Sequence, residues 1–224
     1  MNSLKKLLLV AASGLSLLSP ALVRADVLVI GGMNMRKFGA GGDQFGAEAA
    51  AGVNAYYETN FAASQERKSG VDMGIGFGHV LSPKASWWSE FHFVRRGTTW
   101  RLVDPALSGH VDQALSLDAI EMPVLLRLKT ARTDGLSPHF IVGMGLGHVT
   151  SASLALETDQ GPVDEQNVDN DIQSTYLDVQ FGAGLMSRSF LIEAKYVSGI
   201  SNLAASGGAS LKPSDLTVQM GIIF

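Results

Sequence analysis

Residues 176–186 read Tyr-Leu-Asp-Val-Gln-Phe-Gly-Ala-Gly-Leu-Met. Leu177, Val179, Phe181, Ala183 and Leu185 share one parity, while Tyr176, Asp178, Gln180, Gly182 and Gly184 share the other. A period of two belongs to a strand whose two faces meet different surroundings. Slipping the register by one residue would carry Asp178 to the apolar side, so the pairing is strongly specified.

The same alternation recurs along the chain. At the C-terminus Leu216, Val218, Met220, Ile222 and Phe224 oppose Thr217, Gln219 and Gly221, with Ile223 the only discord. Phe140, Val142, Met144 and Leu146 oppose Gly143, Gly145 and Gly147. Val71, Met73, Ile75 and Phe77 oppose Asp72, Gly74, Gly76 and Gly78, and Trp87, Phe91 and Phe93 oppose Glu90, His92 and Arg96. Ile120, Met122, Val124 and Leu126 oppose Glu121 and Arg127, while Phe190, Ile192, Ala194 and Tyr196 oppose Glu193 and Lys195. A first strand over residues 26–36 is the least regular.

The spacing therefore predicts an all-β fold, an antiparallel transmembrane β-barrel of about eight strands over residues 26–224, with apolar side chains toward lipid and charges toward the lumen. Connection lengths point the same way. Long connections at 37–70, 98–116, 151–174 and 201–214 alternate with a short turn near Ser82-Pro83-Lys84, a moderate connection at 130–138 and a tight turn at Ser187-Arg188-Ser189. Short periplasmic turns and long extracellular loops produce that rhythm, and Pro83 and Pro138 are expected to mark turns.

Residues 1–25 read as a cleaved signal peptide. Lys5 and Lys6 precede the apolar run 7–18, and the small-residue site Val23-Arg24-Ala25 follows. Beyond it no apolar stretch is long enough for a helical span, which leaves the closed barrel as the way to satisfy backbone groups in hydrocarbon. Cysteine is absent, excluding disulfides, thiolate sites and a lipid-anchoring cysteine. A net charge of -4 without a basic cluster offers nucleic acid no footprint.

Several segments resemble the PorT-like outer-membrane β-barrel family: Gly31-Gly32-Met33-Asn34, Ser89-Glu90-Phe91-His92-Phe93-Val94-Arg95-Arg96-Gly97 and Glu121-Met122-Pro123-Val124-Leu125-Leu126. Val142-Gly143-Met144-Gly145, Phe181-Gly182-Ala183-Gly184, Ala194-Lys195-Tyr196-Val197-Ser198-Gly199-Ile200 and Met220-Gly221-Ile222-Ile223-Phe224 continue the likeness, which departs from the family at Lys195, where an arginine is more usual. The resemblance implies a small barrel in the bacterial outer membrane, surrounded by lipid and lipopolysaccharide. It also implies that Leu216, Val218, Met220, Ile222 and Phe224 form the signal read by the barrel-assembly machinery. It assigns no single activity.

The inward charges Asp72, Glu90, Arg96, Glu121, Arg127, Asp178, Glu193 and Lys195 are expected to form a structural polar plug, because eight strands enclose little more than their own side chains. Six acidic residues between 157 and 171 match no calcium-loop spacing and read as a solvated loop. His148 with Ser151 or Ser153 is a weak nucleophile pairing without an accompanying motif. Gly39-Ala40-Gly41-Gly42 reads as a flexible loop, and residues 47–60 leave open a short helix or a strand extension. Trp87, Trp88 and Trp100 read as interfacial anchors. The expectation is a barrel of structural, adhesive or envelope-accessory role with no catalytic residues, cofactor or metal. A small passive pore and a lipid-modifying enzyme are the alternatives, and a soluble ligand-binding barrel fits poorly with inward carboxylates.

Overall fold

The computed structural model describes residues 26–57, 60–104, 109–130, 135–205 and 210–224, so the predicted signal peptide lies outside the described residues. Strands β1 (Asp26–Phe38), β2 (Ala62–Ser82), β3 (Ala85–Val103), β4 (His110–Lys129) and β5 (Ser137–Thr158) are followed by β6 (Gly161–Asn167). Then come β7 (Thr175–Met186), β8 (Phe190–Gly199) and β9 (Pro213–Ile223), while helix α1 (Ala40–Tyr57) joins β1 to β2. All pairings are antiparallel. The order β4-β3-β2-β1-β9-β8-β7-β5 closes on itself through β4–β5, giving a ring of eight strands. Closure removes the free sheet edges that would otherwise expose unpaired backbone groups.

The ninth strand is an addition to the expected topology. β5 continues to Thr158 and folds back as β6, with Gly161 at φ 115° in the reversal, a region that favours glycine. Residues expected to be loop are thus largely strand, because they extend beyond the apolar belt and lose the apolar alternation that marks a strand in sequence. Both possibilities left open in the first connection are realised: α1 covers most of it, and β2 begins at Ala62. Ala40, Gly41 and Gly42 open α1 rather than forming a loop. Pro138 is the second residue of β5, paired in register with Leu185.

The strands differ greatly in length. β8 and β9 have 10 and 11 residues, whereas β2, β4 and β5 have 21, 20 and 22. One side of the ring therefore rises as a wall above the other, and α1 lies at that end against β2 and β3. Trp100 receives it there: its Nε1 donates to the Gly42 carbonyl at 2.8 Å, and Phe45 and Phe38 flank its ring at 4.9 and 6.1 Å.

Side chains follow the alternation, with the apolar set outside. Met33, Met73, Phe77, Phe140, Met144, Met220 and Ile222 are all more than half exposed. In a water-soluble barrel such residues would fill the core.

Candidate functional site

The interior is layered. At the end of the short turns Leu28, Ile30, Trp88, Met186, Leu191 and Ile223 form an apolar floor. Ile223, the one discord in the C-terminal alternation, belongs to this floor, as do the inward apolar residues that made the first strand look irregular. At the other end Phe38, Trp100, Leu115, Leu117, Ile172 and Leu203 belong to a larger apolar layer. Trp88 and Trp100 are buried at 2% and 1% exposure, which corrects their reading as interfacial anchors; their parity places them inside, and Trp87 alone of the three faces outward.

Between these layers sits a continuous charge network. Arg127 on β4 donates through Nε and Nη2 to Glu193 on β8 at 2.6 and 2.8 Å, and through Nη2 to Glu90 on β3 at 2.7 Å. The Arg127 guanidinium also stacks 5.2 Å from the Trp88 ring. Glu90 meets His92 Nε2 at 2.8 Å, and His92 Nδ1 meets Asp72 on β2 at 2.5 Å. Asp72 accepts from Gln219 on β9 at 3.2 Å. Arg96 forms a two-pronged pair with Glu121, which also accepts from the Tyr176 hydroxyl on β7. Arg96 approaches Asp215 at 3.0 Å, and Arg36 on β1 holds the same carboxylate at 2.7 and 2.8 Å. His139 on β5 completes the circuit at 2.7 Å from Glu193.

Every strand of the ring contributes, and the predicted lumen residues Asp72, Glu90, Arg96, Glu121, Arg127, Asp178, Glu193 and Lys195 are all buried. Lys195 Nζ lies 3.8 Å from Glu90, and Asp178 accepts from Gln180 at 3.0 Å. Glycines make room for the large members. A Cβ on Gly147 would lie 2.2 Å from the Tyr176 ring, and one on Gly145 would lie 2.6 Å from Asp178. One gap among the described residues, lined by Asp72, His92, Arg96, Glu121 and Lys195, is too narrow to admit a water molecule.

His92, Tyr176 and Gln219, placed on the inner face by the alternation, join the network, and Arg36, Asp215 and His139 complete it beyond the residues the alternation assigned. Asp215 shares the parity of Thr217 and Gln219 but lies at the start of β9, next to a segment read as loop. Arg36 ends a strand whose inward residues include Leu28 and Ile30, which disguised its face. The other predicted elements lie elsewhere. Leu216, Val218, Met220, Ile222 and Phe224 are exposed along the outer face of β9 and the C-terminus. His148 pairs in register with Ile120, and Ser151 with Asp118, in different rows of the outer surface.

The acidic segment is put to structural use. Asp169 caps the Ala152 amide at 2.5 Å and Asp159 meets His110 at 2.7 Å. At the upper end of the wall Arg101 donates to Asp112 at 2.9 and 2.8 Å. These hydrogen bonds, with the charge of the guanidinium, hold the Asp112 carboxyl below its ordinary range.

The ring defines a small antiparallel β-barrel with an apolar exterior and a charged, filled interior. No family model and no curated protein matches the chain, so the PorT-like likeness has no counterpart there. Among solved structures, Ail of Yersinia pestis in complex with the heparin analogue sucrose octasulfate aligns at TM-score 0.44 and 12% identity, covering 90% of this chain and 100% of that one. OprG from Pseudomonas aeruginosa aligns at TM-score 0.37 and 11% identity, covering 89% and 95%. LpxR from Salmonella typhimurium aligns at TM-score 0.25 and 9% identity, covering 90% and 100%. At these identities the likeness concerns strand layout and transfers no activity.

Proposed function

We propose that this chain is an integral protein of the bacterial outer membrane, a sealed barrel without catalysis that anchors a structured wall outside the cell for a structural, adhesive or envelope-accessory role. The inverted distribution of side chains carries the reading: a band of exposed Val, Ile, Leu, Met and Phe surrounds a network of buried charges. Burying charge while exposing so much apolar surface is unfavourable in water and favourable in a bilayer. Strand length supports it too. A transmembrane strand needs ~9–11 residues, which β8 and β9 match, while the excess of β2, β4 and β5 stands clear as the wall.

Cell fractionation combined with heat-modifiable gel migration tests the reading. The full-length chain is expected in the outer-membrane fraction, with mobility that shifts on boiling. Recovery in the soluble periplasm, or migration indifferent to heating, overturns it.

A further inference from the structure

On the outer face of the wall, directly above the apolar band, lies a trough of about 580 Å³ lined by Arg95, Ser116, Asp118, Ser151, Glu165 and Asn167. Strand register builds it. Arg95, Asp118 and Ser151 form one row across β3, β4 and β5, and Gly97, Ser116, Ser153 and Asn167 form the next row up, reaching β6. Lys68 pairs with Gly97 and extends its ammonium group to the Ser116 hydroxyl at 3.2 Å, so a second cation borders the trough. Arg95 is 62% exposed at its side chain even though it holds Asp118. The row immediately below is Phe93, Ile120 and His148, and Phe93 is exposed in the apolar band.

We infer that this trough binds the phosphorylated sugar headgroup of an outer-leaflet glycolipid, whose acyl chains descend over Phe93 and Ile120. The inference rests on the membrane reading above. Charge and hydrogen-bonding capacity select the ligand. A bare phosphate would be opposed by Asp118 and Glu165, and a neutral sugar would draw nothing from the charges of Arg95 and Lys68 beyond their contacts to Asp118 and Ser116. A phosphosugar places its phosphate on the two cations and its hydroxyls on the carboxylates, the serines and Asn167. The outward row next below the trough holds Phe93 and Ile120, which suits an amphiphile rather than a soluble glycan.

Native mass spectrometry of the detergent-purified full chain tests this with three probes: rough lipopolysaccharide, phosphatidylglycerol, and the deacylated sugar-phosphate backbone of lipid A. Wild type is expected to retain lipopolysaccharide about tenfold better than either other probe, and K68A/R95A and S153W each to lose that preference. Heat-modifiable migration of each variant shows that the barrel still folds. Unchanged retention by folded S153W and K68A/R95A, equal retention of phosphatidylglycerol, or equal binding of the deacylated backbone overturns the inference. If these results come with outer-membrane fractionation intact, only the trough assignment falls; a soluble wild type removes the membrane reading itself.

Discussion

Arg127 and Glu193 meet in a two-pronged ion pair at 2.6 and 2.8 Å, both side chains fully buried, although 66 residues separate them and their strands lie three steps apart around the ring. The contact exists only because the sheet closes. Arg127 also holds Glu90, so this one guanidinium neutralises carboxylates from two other strands.

Arg127→Ala is therefore expected to destabilise the barrel by about 3–5 kcal/mol, because two buried carboxylates lose the guanidinium they share. Urea titration of the folded protein in liposomes measures it. An unfolding midpoint equal to wild type would show that Glu90 and Glu193 are neutralised in another way.

Sealing predicts electrical silence. Apolar residues flank the charge layer, Trp88 and Leu191 below and Trp100 and Leu117 above, and the gap beside Asp72, His92 and Arg96 has no room for a water-sized sphere. Purified protein in planar bilayers is expected to give no steady porin-like conductance. Stable, reproducible channels at moderate voltage would overturn the sealed-barrel reading.

Val179 lies on the outer face of β7 between the buried residues Asp178 and Gln180. Val179→Arg places a charge against lipid and is expected to cost about 2–4 kcal/mol, whereas Asp164→Ala on exposed β6 is expected to stay within about 0.5 kcal/mol of wild type. Indistinguishable midpoints for the two variants would contradict the assignment of faces.

Phe224 pairs with Val27 through hydrogen bonds of 2.8 and 3.2 Å at the seam between first and last strands, and the residue is 73% exposed. Deleting it removes both seam bonds and the terminal aromatic group. Outer-membrane levels of the deletion variant, measured by blotting of fractions, are expected to fall well below wild type. Normal levels would separate Phe224 from assembly.

The wall has its own pH signature. The Asp112 carboxyl is lowered in the folded protein by Arg101, so the pair contributes its stability above the ordinary carboxylate value of ~3.9 and loses it as pH falls through the lowered value. Hydrogen-exchange protection at the β3–β4 upper ends, corrected for the intrinsic rate at each pH, is expected to fall below about pH 4 in wild type. Arg101→Leu should exchange faster at neutral pH and respond less to acid. An identical acid response in both proteins would assign the effect to other groups.

Alternation is a local property, and it shows most plainly where the two faces of a strand differ sharply. The sequence by itself determined the barrel class, the face of Asp178, Glu121 and Arg127, and the apolar outer stripe of β9, because a period of two leaves no other placement for those side chains. It blurred where inside and outside were both apolar, as at Leu28, Ile30 and Ile223, and where both faces were polar, as in β6 and the upper parts of β2 to β5. Tertiary structure decided the rest. Ring closure set which carboxylate each arginine meets, turned Trp88 and Trp100 into the packed interior, and seated α1 on Trp100. Register between the successive strands β2 to β6 aligned Lys68, Arg95, Ser116 and Asn167 on one outer surface. The meetings across the interior join strands distant in sequence, and they exist only once β9 pairs with β1 and the ring is complete.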